Sequence, residues 1–203
     1  MSSAPDPTPL PSPAPRQALQ ERVAAAILAA AARVLAARGD GASMNDVAAA
    51  AGVARATLYR YFPSRQALLD ELARIAAEEA GERLASARIE EVPTEEGIRR
   101  AVRALIEVGD PFVVVARERV RPDPEQFEQS VTNPLRRLFE RGQLAGEIRD
   151  DVPSSWLTDS LVGLVVSVLP SRPALGREDT IAAIAALFLE GARSRPASVS
   201  TQA

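Results

Sequence analysis

Between its two ends, the 203-residue chain places apolar residues at helical spacing throughout. Val23, Ile27, Ala30 or Ala31, and Val34 share one face of a helix predicted over 17–38, which Gly39-Asp40-Gly41 closes. Ser43-Met44-Asn45-Asp46 is a start signal, because the serine oxygen can accept a hydrogen bond from the amide three residues on. A short helix, NDVAAAA, follows and stops at Gly52, where glycine suits a tight turn with positive φ. A second short helix is predicted from Ala54 or Arg55 through Tyr61. Pro63 then interrupts the chain, and Ser64 can cap a long helix, RQALLDELARIAAEEAGERLASA. Short helix, glycine turn, short helix is the helix-turn-helix plan.

The back half keeps the same period. Ile98, Val102, Leu105 and Ile106 fall on one face of a helix over 94–108, and Asp110-Pro111 supplies a cap and a first-turn proline for PFVVVARERV. The valine run at 113–115 could favour a strand, but no partner strand exists in the sequence, so helix is expected. Asp123-Pro124-Glu125-Gln126 repeats the start signal. Phe127, Val131, Leu135, Leu138 and Phe139 then form one stripe, with Pro134 placed to kink it. Two final helices, over 153–169 and 179–192, carry apolar stripes wider than one partner helix needs: Trp156, Leu157, Leu161, Leu164, Val165 and Val168, then Ile181, Ile184, Ala185 and Phe188. Such two-sided helices bury one side at home and the other in a partner, here as a four-helix bundle between two copies of the chain. The competing expectation is a fully internal pair.

Composition removes many chemistries. Cysteine and histidine are absent, which excludes thiol nucleophiles, disulfides, zinc sites built on thiolate or imidazole, and any Ser-His-Asp triad. Pairs such as Glu90-Glu91 and Glu95-Glu96 read as solvated helix ends, so no enzyme activity and no cofactor are expected. All 24 basic residues are arginine, against 27 acids. Within 20–75, seven arginines face five carboxylates, a net +2 that leaves −5 for the rest of the chain. A locally basic head on an acidic protein fits attachment to a polyanion. Residues 1–16 are proline-rich and 194–203 small and polar, so both read as unstructured tails. No apolar run approaches the roughly 20 residues a membrane span needs, and the start lacks a secretory pattern; a cytoplasmic protein is expected.

The chain is only 4% aromatic, yet both tyrosines lie in GVARATLYRYF, residues 52–62. With Val47, Ala51, Val53, Leu58 and Phe62 turned inward, helical spacing sends Arg55, Ala56, Thr57, Tyr59, Arg60 and Tyr61 outward. Arginine can fork onto guanine, hydroxyls can bond phosphates, and methyl or ring carbons can touch thymine. The alternatives are a half-buried packing role for Tyr59 and, for the whole face, a protein partner in place of a duplex.

From Ala42 to Leu72 the sequence ASMNDVAAAAGVARATLYRYFPSRQALLDEL resembles the DNA-binding head of TetR-type transcriptional regulators, with A-G-V, T-L-Y-x-x-F and S-[KR]-x-x-L in order. The resemblance implies an all-α protein: a three-helix helix-turn-helix head over 17–63, joined by a fourth helix to a helical effector-binding and dimerisation domain over 64–193. It implies that Ser43 caps the second helix and touches phosphate, that Asn45 reaches a base, and that Arg55, Ala56 and Thr57 open the recognition helix. Tyr59 matches a phosphate- or thymine-contacting tyrosine, and Arg65 a basic residue that anchors the fourth helix to the DNA backbone. Asp70 and Glu71 are alternative partners for Arg65 on its own helix. Tyr61 departs from the pattern, where histidine is common. LAGEIRDDVP, residues 144–153, resembles the loop before the last two helices of the family.

The implied function is a homodimeric, ligand-responsive repressor that binds a two-fold operator in double-stranded DNA and is released by a small apolar effector. Phe112, Arg117, Phe127, Phe139 and Trp156 are the expected pocket residues, since such pockets are apolar with a few polar groups. Leu161, Leu164, Val165, Val168, Ile181, Ile184 and Phe188 are the expected dimer contacts.

Overall fold

A computed structural model describes residues 15–169 and 175–193. The expected tails, apart from residues 15 and 16, lie outside the described residues. Helix α1 (Pro15–Arg38) passes through a 3-10 turn (Gly39–Gly41) into α2 (Met44–Ala51), α3 (Arg55–Tyr61) and α4 (Arg65–Ser86). Then come α5 (Thr94–Ile106), α6 (Asp110–Glu118), α7 (Pro124–Phe127), α8 (Asn133–Leu144), α9 (Ser154–Val168) and α10 (Arg177–Ala192). The described residues carry one isolated antiparallel bridge, Ile148 to Arg193, and are otherwise helices and turns.

Local chemistry sets the helix ends. The backbone N–H of Ala67 donates to Ser64 Oγ at 3.0 Å and that of Gln126 to Asp123 Oδ1 at 2.9 Å. Each bond satisfies one donor that a helix start would leave unpaired. Gly109, at φ +76°, caps α6, one residue before the expected Asp110; Asp110 and Pro111 form its first turn. The kink expected at Pro134 takes the form of a five-residue π-helical turn over Glu128–Thr132, between α7 and α8. Proline has no N–H to return to residue 130, and a wider turn accommodates the missing bond. That turn packs on α4 at Gly81, where a Cβ would come within 2.7 Å of the Ser130 Cβ.

Two apolar cores form. The head core joins Ile27, Leu35, Val47, Leu58, Phe62, Leu68 and Leu72, so it draws on the first two turns of α4 beyond Pro63. The body core gathers α4, α5, α8, α9 and α10 around Leu105, Leu135, Phe139 and Phe188. Val114 of α6 sits in the head core, while Phe112 and Val115 of the same helix sit in the body core. One short helix therefore bridges the two.

Candidate functional site

The site begins at Ser43. Its hydroxyl donates to Asp46 Oδ2 at 2.5 Å, its N–H donates to the same oxygen at 2.9 Å, and the Asp46 N–H returns a bond to Ser43 Oγ at 3.2 Å. This capping box fixes the start of α2. The Ser43 hydroxyl bond, then the Ser43 backbone N–H, and then Arg38 at 2.9 Å hold the Asp46 carboxyl below the usual carboxylate range. At the other end, the Gly52 N–H closes onto Ala48 and Ala49 carbonyls with φ +67°. Open space surrounds the position of an added Cβ, so conformation rather than crowding calls for glycine.

The turn delivers α3 with Leu58 fully buried and Phe62 behind it. Arg55, Ala56 and Arg60 are exposed, with Thr57 and Tyr59 half-exposed beside them. Asn45 is exposed on α2. The Arg55 guanidinium lies 5.3 Å from the Tyr59 ring centroid, and Arg60 lies 5.4 Å from that of Tyr61. The arginines thus lean on the phenols, each pair worth about 0.5–1 kcal/mol at an exposed site. Tyr61 also packs against the head core.

Arg65 occupies a joint. Its Nη1 donates to the Ala42 carbonyl at 2.7 Å and its Nη2 pairs with Glu118 Oε1 at 2.8 Å. The partner is neither Asp70 nor Glu71, the two that helical spacing offers, because the guanidinium turns across to the last residue of α6. One position earlier, Arg117 Nη1 donates to the Ala36 carbonyl of α1 at 2.7 Å. Arg117 therefore binds the head, and it is not among the residues that line the cavity between α4, α6 and α9.

A cavity of about 290 Å³ opens between α4, α6 and α9. Phe112 and Phe127 line it, with Val115, Val166 and an alanine strip from α4: Ala73, Ala76, Ala77 and Ala80. That strip follows the i, i+3, i+4, i+7 pattern, a signal present in the sequence. Arg119 and Arg121 stand at its mouth. Phe139 is instead fully buried against Phe188, ring centroids 5.4 Å apart. Trp156 is 67% exposed and does not line this cavity, because its side of α9 turns away from the body core.

The expected dimer contacts also need correction. Leu161, Val165, Ile181, Ile184 and Phe188 are buried in the core of their own protomer, so they cannot meet a second chain directly. Leu164 and Val168 are half-buried against that core. The outward side of the two helices instead carries Trp156, Ser160, Gly163 and Ser167 on α9, with Ala183, Leu187 and Gly191 on α10; Leu187 is 64% exposed.

Residues 27–72, most of the head just described, match the model of the bacterial regulatory proteins of the tetR family. The likeness to that family covers the head alone. The HTH-type transcriptional repressor LfrR of Mycolicibacterium smegmatis is 37% identical over 107 residues, 52% of this chain and 56% of that protein. The aligned sequence thus spans about half the length of this curated relative. The crystal structure of LfrR in complex with proflavine superposes with a TM-score of 0.71 at 27% identity, covering 85% of this chain and 97% of that one. AibR, solved in complex with isovaleryl coenzyme A and operator DNA, shares the fold with a TM-score of 0.65 at 23% identity, over 81% of this chain and 97% of its own. The fold is thus the one found in the TetR-like transcriptional regulator LfrR and in AibR. Among the described residues no helix is long and apolar enough to cross a membrane.

Proposed function

We propose that the chain binds operator DNA as a homodimer, through α2 and α3 of two heads, and releases it when a small, largely apolar molecule enters the cavity between α4, α6 and α9. The outward face of α3 carries this reading. It sets Arg55, Thr57, Tyr59 and Arg60 on the solvent side of a helix whose other side is fixed by Leu58 and Phe62. Phosphate contacts would fall to Tyr59, Arg60, Tyr61 and Arg65, and base edges to Asn45, Arg55, Ala56 and Thr57. Ser43 has its hydroxyl proton committed to Asp46, so it would serve the interface mainly by holding α2.

The head, over 17–63, and the body, over 64–193, are proposed as separate functional units. Dimerisation is assigned to the exposed sides of α9 and α10, where Trp156 and Leu187 stand among small residues that permit close helix approach. Release would run through α6. One side of that helix faces the cavity with Phe112 and Val115, and the other holds the head with Val114, Arg117 and Glu118. An effector shifts the heads only to the extent that it prefers their spread arrangement. Relationship to the repressor LfrR supports repression as the outcome.

The test is selection of bound fragments from genomic DNA at low ionic strength, followed by a screen for small molecules that release them. Recovery of a recurrent two-fold sequence is expected. Retention of no fragment, or of fragments with no common sequence, would contradict the reading.

A further inference from the structure

The cavity between α4, α6 and α9 has a charge pattern that narrows its occupant. Its walls are alanine, valine, phenylalanine and proline, and no aspartate or glutamate lines it. Its two charged groups are Arg119 and Arg121, both exposed at the mouth. Neither guanidinium makes a hydrogen bond or ion pair among the described residues. Around the larger groove of about 530 Å³ between α4 and α5 the arginines are engaged, with Arg83 on Glu79 at 2.6 Å and Arg103 on Glu178 at 2.6 Å. That groove meets its own charges. The smaller cavity does not.

Backbone geometry points the same way. Arg119 closes α6 in the left-handed region at φ +53°, a conformation that a residue with a side chain rarely adopts. The reversal brings Arg119, Arg121 and Pro122 to one rim. The same two arginines border a cleft with Asp70 and Glu118, but Glu118 is already held by Arg65 at 2.8 Å.

We propose that the effector is an amphipathic anion, a carboxylate on an aliphatic body. The body would lie along the alanine strip and the acid group would bridge Arg119 and Arg121. Guanidinium groups suit a carboxylate because they present paired donors in its plane. At about 30 Å³ for a water-sized volume, the 290 Å³ cavity holds on the order of ten non-hydrogen atoms. This proposal rests on reading the cavity as the effector site.

Calorimetric titration of the full chain separates the two ideas, with octanoate, 1-octanol and octyltrimethylammonium as probes of equal chain length, below their micellar concentrations. Octanoate is expected to bind about tenfold more tightly than octanol, as befits a charge-assisted pair. The double variant Arg119→Gln, Arg121→Gln should erase that difference while leaving octanol binding and helicity unchanged. Ala77→Phe, which fills the cavity, should abolish binding of both. Octanol or the cation binding as tightly as octanoate, with Ala77→Phe still abolishing it, would overturn the anion and keep the cavity. Binding of no probe, or binding indifferent to Ala77→Phe, would overturn the cavity reading and the anion with it.

Discussion

Arg65 and Glu118 pair at 2.8 Å, and the Glu118 side chain is only 9% exposed. With its second nitrogen on the Ala42 carbonyl, Arg65 ties together the segment before α2, the start of α4 and the end of α6. Removing one partner leaves a largely covered carboxylate or guanidinium without its bond. Arg65→Gln and Glu118→Gln should each cost about 1.5–3 kcal/mol, the range for a hydrogen bond to a charged group. Urea unfolding of both single variants and the double should give a coupling energy above about 0.5 kcal/mol. Additive losses would mean that the pair does not join head to body.

On α3, Arg55 lies against the Tyr59 ring and both sit on the outward side. Arg55→Ala and Tyr59→Ala should each weaken duplex binding by about 1–3 kcal/mol, the scale of a good base-edge pair. Helicity by circular dichroism should not change, since Leu58, Tyr61 and Phe62 still hold this helix to the core. A collapse in helicity would assign the tyrosine to packing instead.

Asp46 gives a pH test. Its carboxyl titrates below the ordinary aspartate range because Ser43 hydrogen-bonds the charged form, through the hydroxyl first. A depressed folded pKa contributes stability above the unfolded pKa, about 3.9, and loses it as pH falls through the folded value. The Asp46 carboxyl carbon, followed by NMR, should titrate below that reference, and Ser43→Ala should move it upward. An unchanged midpoint in Ser43→Ala would detach the cap from the shift.

The dimer contact proposed on the outward side of α10 has a direct test. Leu187→Glu should convert the proposed dimer to a folded monomer in sedimentation velocity. Phe188→Ala, one residue along and buried, should instead cost about 3–5 kcal/mol of protomer stability. Unchanged mass in Leu187→Glu would move the subunit contact elsewhere.

Much of the head is legible in the sequence because it is local. Ser43, Gly52, Ser64 and Asp123 act on backbone groups two to four residues away, so the sequence alone places them. Leu58 and Phe62 follow from period and hydrophobicity. The back half is less legible for a definite reason: on α9 and α10 both sides are apolar or small, and periodicity cannot say which side meets its own protomer. Trp156, the largest apolar residue there, faces out, while Leu161 and Phe188 face in. Arg117, Glu118, Arg119 and Arg121 lie within five positions of one another, yet the first two serve the head and the last two the cavity mouth. The left-handed backbone at Arg119 sorts them, and no glycine marks it.

Duplex recognition by α3 has a direct test in salt dependence. With Arg60 and Arg65 of each head on phosphates, about four neutralised across two heads, the affinity for a selected operator should fall with a log–log slope on the order of −4. Arg60→Ala, present twice per dimer, should make that slope shallower by about 2. Binding that is flat in salt, or an Arg60→Ala slope equal to that of the parent chain, would contradict a duplex on this face.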